Sequence, residues 1–304
     1  MDTMSMFSTI KQALKNKKSS AGNEVFKNFM RFEPGKPGTS GNEYVVRFLP
    51  YLKDPENTFF EFISYNWNSL STGKWINEIS PVTFGERCPI AEEKAKIFND
   101  KSSTQEDLDK ARLLKRTKQW LANIYIVNDP INPQNNGTVK ILRMGKQLYD
   151  KVYNALDEEN SESIGNDIFL NPENSNGYNF RIICEQGPKF QTYARSDFSR
   201  NKTIISELSS PEKIKEILDT AFDLKSVFTV KSYNELKQIL DEHYFINSRT
   251  NLNNELTSSE LIENNETIEN NFTNNNESSS IVNEQPSETI NEIDDEFINS
   301  ILKQ

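Results

Sequence analysis

Apolar residues along this chain recur at two periods. One is close to two and marks half-buried strands; the other is the helical spacing. Tyr44–Leu49 reads Tyr-Val-Val-Arg-Phe-Leu and is closed by Pro50, which predicts a strand. Thr58–Trp67 and Lys74–Val82 are two more, joined through a hairpin turn at Ser71-Thr72-Gly73. Between Cys88 and Arg116 the period turns helical: Ile90, Lys94, Ile97 and Phe98 fit one helix, and Leu108, Ala111 and Leu114 a second. Trp120–Val127 is an aromatic-rich strand. Asp129-Pro130 stops it, because proline offers no N–H to a ladder and restricts the residue before it. Asn135-Asn136-Gly137 predicts a tight turn into a short strand, Val139–Met144. Gly145 then leads into a helix over Lys146–Leu156 with Leu148, Val152 and Tyr153 inward. After a polar insert at Asp157–Asn166, Tyr178–Glu185 is a strand, and Gly187-Pro188 turns the chain into Lys189–Phe198. Helices over Pro211–Phe222 and Ser232–Phe245 follow, the first capped by Ser210 with Pro211 in its first turn.

The two ends differ from this body. In residues 5–20, Phe7, Ile10 and Leu14 share one helical face, and Lys11, Lys15 and Lys18 share another. A helix this short is marginal alone, so the segment is either a frayed terminus or a basic arm that docks on a neighbouring molecule. From Asn247 onward the chain is rich in Asn, Ser, Thr and Glu and cannot bury enough apolar surface to offset chain entropy, which predicts disorder. Helical spacing returns only at Ile290, Ile293, Phe297 and Ile301, with Glu292, Asp294, Asp295 and Glu296 between them; Thr289 and Glu292 could form a capping box. Such an acidic amphipathic end reads as a partner-binding peptide, or more plainly as a solubilising tail.

Composition changes this picture mainly through charge. The 304 residues leave room for one or two domains. The net charge of −10 belongs to the end of the chain: residues 246–304 carry 12 acidic and 2 basic side chains, and the body before them balances at 33 of each. An acidic pI therefore does not argue against nucleic-acid binding by the body, where local clusters decide. No apolar run approaches 18 residues, so no membrane span is expected, and no apolar signal core follows the N-terminal lysines. Cys88 and Cys184 form no motif, which fits free thiols in a reducing cytoplasm. The single histidine, His243, reads as a helix-terminal residue without an acid/base partner.

The stretch Lys115–Pro130 carries the candidate chemistry. Lys115, Arg116 and Lys118, with Arg112 upstream, run into the strand that holds Trp120. Alone, this is a solvated basic turn entering a core strand. It is also what a single-stranded nucleic-acid groove needs, because cations neutralise phosphates and flat rings stack on unpaired bases. Lys140, Arg143, Lys146, Phe190, Tyr193 and Arg195 supply more of both types. There is no phosphate-binding glycine loop, no His-Glu-x-x-His and no paired Cys-x-x-Cys. Many short strands and basic clusters beside aromatics fit an OB-type barrel that binds single strands.

With those residues in hand, the chain resembles the cooperative single-stranded-DNA-binding, helix-destabilising replication protein of T-even-like tailed phages. The resemblance covers most of residues 7–245. It rests on Lys115-Arg116 followed by Ala122-Asn123-Ile124, Val127 and Asp129-Pro130; on Val46-Arg47-Phe48-Leu49-Pro50; on Gly73-Lys74-Trp75 and Cys88-Pro89; on Arg143, Gly145-Lys146 and Asp150-Lys151; and on Phe190 with Tyr193.

The resemblance implies a mainly β fold with added helices: a five-stranded Greek-key OB-fold core with an accessory subdomain. Residues 1–21 would be a basic self-association arm, with Lys15, Lys17, Lys18, Ser19 and Ser20 as its motif. Residues 22–246 would be the single-stranded-DNA-binding core, with a cleft using Lys115, Arg116, Trp120, Phe190 and Tyr193. Residues 247–304 would be a disordered acidic tail that recruits phage replication and recombination proteins through Ile293, Asp294, Asp295, Phe297 and Ile301, in the cytoplasm of the infected host. Family members hold a structural zinc with one His and three Cys. Here only Cys88 remains, with Ser80 and Ala91 at cysteine positions, so no cofactor is expected and Trp67, Trp75, Ile79, Val82, Phe84 and Ile90 are expected to pack that subdomain instead. Leu121 and Leu142 replace aromatics, which would move part of the stacking platform to Tyr125 or Tyr149. Two other readings stay open: a metal-dependent nucleic-acid-processing enzyme using carboxylates such as Asp129, Asp150, Glu185 and Asp197, and an interaction scaffold acting through its tail.

Overall fold

The computed structural model describes residues 27–245 apart from 158, 161, 162 and 189. The arm at 1–21, with Lys15, Lys17, Lys18, Ser19 and Ser20, and the tail at 247–304, with Ile293, Asp294, Asp295, Phe297 and Ile301, lie outside the described residues. In chain order the strands are β1 (Asn42–Phe48), β2 (Phe59–Asn68), β3 (Trp75–Ile79), β4 (Lys115–Asn128), β5 (Val139–Met144), β6 (Phe180–Gln186), β7 (Gln191–Thr192) and β8 (Asp197–Phe198). The helices are α1 (Pro89–Asn99), α2 (Gln105–Leu113), α3 (Lys146–Leu156), α4 (Pro211–Asp219) and α5 (Tyr233–His243). The strands order as β3-β2-β4-β1-β6-β7 in a curled antiparallel sheet, with β5 on β4 and β8 on β6. The chain divides into two units: residues up to Ser64 with Arg116–Val230, and Tyr65–Lys115 with the residues from Lys231.

The first unit is built on β4. Val46 and Phe48 of β1 pair with Ile126 and Ile124 along one edge, while β5 pairs Leu142 with Ala122 and Met144 with Trp120 along the other. Alternate residues of a strand point to opposite faces, and the even-numbered ones make the core. Tyr44, Val46 and Phe48, Trp120, Ala122, Ile124 and Ile126, Leu142 and Met144, and Phe180, Ile182 and Cys184 form one buried cluster. Leu148, Val152 and Ala155 of α3 close it. Tyr153, expected inward, is 54% exposed instead: it lies about 100° around the helix from Val152 and leaves the apolar stripe. On the other face of the sheet, Leu49, Tyr125 and Leu170 pack with Ile214 and Leu218 of α4 in a smaller core.

Two polar side chains hold that second face. Arg47 on β1 is fully buried, with no carboxylate among its hydrogen-bond partners. Its Nε donates to Asn179 Oδ1 at 3.0 Å, Nη1 to Ser175 O at 3.1 Å, and Nη2 to Gly177 O, Asn179 Oδ1 and Thr203 O at 2.8, 2.8 and 3.1 Å. Burial lowers the guanidinium to about 10, so it stays charged at neutral pH. Gly177 follows from this packing, because a Cβ there would meet Arg47 Nη1 at 2.6 Å. Asn123 on β4 exchanges two 2.9 Å hydrogen bonds with the backbone N–H and C=O of Phe222, tying the end of the α4 segment to the central strand. At the far end of β4, buried Asp129 accepts from the N–H groups of Ile131 and Asn132 and from Asn135 Nδ2, and so shapes the turn that the Asp-Pro pair starts.

In the second unit, Trp67, Ile90, Ala111, Leu114, Leu236, Leu240 and Tyr244 are buried. Thr104 with Asp107 and Ser232 with Glu235 form capping boxes at the starts of α2 and α5. His243 is the last residue of α5, and its Nδ1 lies 3.0 Å from Ser69 Oγ on the turn before β3. The expected packing of this subdomain needs correction. Trp67 and Ile90 are interior, but Trp75 is 62% and Phe84 41% exposed. β3 is shorter than the apolar run suggested, because Ser80-Pro81 starts a 3₁₀ turn, and Trp75 falls on its outward parity.

Replacing Arg47 with alanine removes its hydrogen bonds to Ser175 O, Gly177 O, Thr203 O and Asn179 Oδ1 and leaves a cavity. Urea unfolding is expected to show a loss of about 3–5 kcal/mol. Asn123→Ala strands two buried backbone groups and is expected to cost about 2–4 kcal/mol by the same measurement.

Candidate nucleic-acid interface

β4 begins at Lys115, so the cation cluster lies within the strand and not in a turn before it. Lys115 and Arg116 are neighbours on a strand and project to opposite faces, so one phosphate cannot meet both. Trp120 is corrected from an open stacking surface to a support. It is only 8% exposed and lies parallel to Tyr149 of α3, ring centres 3.9 Å apart and planes within 3°. Such a stack adds about 0.5–1.5 kcal/mol beyond area burial. Tyr149 in turn meets Tyr153, ring centres 6.3 Å apart, and Tyr153 reaches solvent. The i, i+4 tyrosines on one helix were the available signal for this ladder. Tyr125, the other alternative, is buried in the second core.

The β6–β7 turn supplies the most exposed ring among the described residues. Gly187 N–H donates to Phe190 O at 3.1 Å, and a Cβ on Gly187 would meet that oxygen at 2.5 Å. This tight turn leaves Phe190 81% exposed. Tyr193 follows, packed edge-on against Phe32 at 5.9 Å, with its N–H donating to Gln147 Oε1 in the first turn of α3 at 2.9 Å. Burial beside Cys184 and Tyr44 raises the Tyr193 phenol, so it remains protonated. Gln147, unnoticed in the sequence, thus joins the Phe190–Tyr193 segment to the start of the helix that carries Lys146, Tyr149 and Tyr153.

The cations around this ladder are held by weak partners. Lys118 Nζ is 3.1 Å from Glu61, Lys146 Nζ 3.2 Å from Asp150, and Arg195 Nη2 2.9 Å from Glu185. Arg143 donates to Gln119 Oε1 at 3.0 Å and lies over the Phe62 ring at 5.6 Å. Exposed ion pairs contribute about 0–1 kcal/mol, so phosphate can displace these carboxylates at small cost. Two predicted residues lie elsewhere. Lys140 sits four residues along β5 from Met144 and donates to Lys27 O at 3.0 Å. Arg112 belongs to the second unit and pairs with Asp109 on its own helix.

The carboxylates of the enzyme alternative are each engaged separately: Asp129 in its turn, Asp150 with Lys146, Glu185 with Arg195, and Asp197 with the Phe198 N–H. The residues at the family's zinc position do not fit that ion. Cys88 is buried at the start of α1, and a single sulfur with no His or second Cys beside it among the described residues cannot complete a four-coordinate site. Its side-chain partner is the Ser80 hydroxyl. No group of three or more His, Cys, Asp or Glu that could hold a metal occurs among the described residues, and no helix among them is long and apolar enough to cross a membrane.

Elemental analysis of purified protein is expected to find zinc well below one equivalent.

The family model described as "gp32 DNA binding protein like" matches residues 40–244. Two curated relatives, the "Single-stranded DNA-binding protein" of Enterobacteria phage T4 and that of Enterobacteria phage T2, are each 31% identical over 209 residues. Each match covers 66% of this chain and 66% of the relative, so the chain spans just under two thirds of their length. The family model takes in both β4 and the Phe190–Tyr193 turn, and the chain belongs to the gp32-like family of DNA-binding proteins.

Proposed function

We propose that this protein binds single-stranded DNA with little sequence preference, through an OB-type barrel formed by the sheet of the first unit. The observation that carries the reading is the exposed Phe190, set beside Tyr193 and the Lys146 end of α3 inside the family-matched segment. Its relatives are named as single-stranded DNA-binding proteins. Bases stack on Phe190 and on the Tyr149–Tyr153 ladder that Trp120 backs. Phosphates exchange with the carboxylates now paired to Lys118, Lys146 and Arg195, with Arg116, Lys115 and Arg143 as further contacts. Binding single strands and not duplex lowers duplex stability by mass action.

The finer assignments are part of the same proposal. The arm with Lys15, Lys17, Lys18, Ser19 and Ser20 joins successive copies along the strand. The acidic end with Ile293, Asp294, Asp295, Phe297 and Ile301 engages replication and recombination proteins of the phage in the host cytoplasm. The protein carries out no catalysis.

The test is a poly(dT) titration across salt. Phe190→Ala is expected to weaken binding by about 1–3 kcal/mol, roughly 5- to 150-fold, without changing the salt slope. Lys118→Ala with Lys146→Ala is expected to flatten the slope by about 0.7 for each lost phosphate contact. A full-length protein with no salt-dependent affinity for poly(dT) would falsify the proposal.

A further inference from the structure

α3 has a second exposed face, turned away from the tyrosine ladder. Gln147, Lys151 and Asn154 follow one another at i, i+4 and i+7, on one side of the helix. Gln147 holds the Tyr193 backbone, and Lys151 and Asn154 then line a groove opposite Asp197–Arg200 and Tyr178. The groove has a volume of ≈ 440 Å³, within the range of about 300–1,000 Å³ common for small-molecule clefts. Its helix side runs from Lys151 to Ala155, about 6 Å at 1.5 Å per residue, and Lys151 lies one turn beyond the Gln147 that holds Tyr193.

Its chemistry differs from that of the tyrosine ladder in one respect. Lys118, Lys146 and Arg195 are each ion-paired, whereas half-buried Lys151 and exposed Arg200 have no ion-pair partner among the described residues. Asp197 is the one acid in the lining, and its Oδ1 already accepts the Phe198 N–H at 2.9 Å. Tyr178 offers a ring, with Lys202 Nζ 5.7 Å from its centre on the side where Lys202 pairs with Asp167. Two uncommitted cations, one ring and the Asn154 amide in a polar groove suit a phosphodiester and its base. They do not suit an apolar peptide.

We infer that this groove is a second contact tract for single-stranded DNA, in which Lys151 and Arg200 take phosphate and Tyr178 takes a base or sugar. A strand that leaves Phe190 and Tyr193 is carried along the Gln147–Asn154 side of α3. The inference rests on the single-strand reading above and extends the bound length beyond the Phe190 contact.

The test uses the full chain and two oligo(dT) ligands of about 4 and about 16 nucleotides, the limits of the usual site size for one OB fold. K151A/R200A is titrated with both across salt. Affinity and slope for the short ligand are expected to stay unchanged. For the long ligand the slope is expected to fall by about 1.4, from about 0.7 per phosphate contact, with a several-fold loss of affinity at low salt. R200A alone, at an exposed position, guards against misfolding and is expected to give half the change in slope. Asp197→Asn is expected to tighten the long ligand only. An unchanged slope for the long ligand overturns the inference. Equal losses on both ligands also overturn it, since they place the two cations on the primary contact. Wild-type protein that binds neither ligand overturns the single-strand reading itself, and the groove with it.

Discussion

The guanidinium of Arg47 is the constraint on which the rest of the first unit leans. Removing a full charge from water is costly unless its donors are satisfied. Here neutral acceptors satisfy it: three backbone carbonyls and the Asn179 amide oxygen. Those acceptors come from two irregular segments, 175–179 and the loop around Thr203, which are also tied together by Ser175 and the buried Ile205. Asn179 passes the constraint on, donating to Thr203 Oγ1 while its own N–H is met by Ser199. The charged group therefore fixes the two ends of the path through β6, β7 and β8. Phe190 and Tyr193 lie along that path, placed locally by the Gly187–Phe190 turn, Gln147 and Phe32.

α3 is the second organising element. Its apolar stripe is one wall of the core, and its remaining faces carry the chemistry. One presents Tyr149 and Tyr153 in line with Trp120; the other presents Gln147, Lys151 and Asn154 toward the chain that follows Tyr193. A helix whose buried stripe is narrow can serve two surfaces at once. Trp120 gains a role distinct from direct contact: stacked on Tyr149, it supports from within a ladder whose outer ring is Tyr153, and under the proposed reading a stiff platform loses little entropy when a base lands on it.

Electrostatics follows the same economy. Most cations near the ladder are paired with single carboxylates at the surface, where such pairs are weak. The interface is thus close to neutral when free, yet can present cations to a polyanion. In the second unit, local hydrogen bonds and a small apolar interior do the holding. The Ser69–His243 contact and two capping boxes, with Trp67 and Ile90 inside, hold elements that one thiol could not.

Much of this was legible in the chain itself. β5 and α3 occur at the residues where periodicity put them, and β1, β2 and β6 lie within two residues of expectation, because burial on one face imposes a period that sequence displays directly. Phe190 was recognisable because Gly187-Pro188 announces a turn and a ring at a turn is exposed. The misplaced residues share one cause. Periodicity says that a side chain leaves the polar background, but not which neighbour meets it. Trp75 and Phe84 are apolar yet exposed, since whether an edge strand is covered depends on what packs over it. Trp120 looked like a ligand platform until Tyr149 stacked on it, and Lys115 and Arg116 looked like one cluster until the strand extended through both. Arg47 gave no sign of burial at all. The identity of the elements was set by local hydrophobic spacing. The site was set by contacts between residues distant in sequence, such as Trp120 with Tyr149, Gln147 with Tyr193 and Lys118 with Glu61, which only the folded chain brings within reach.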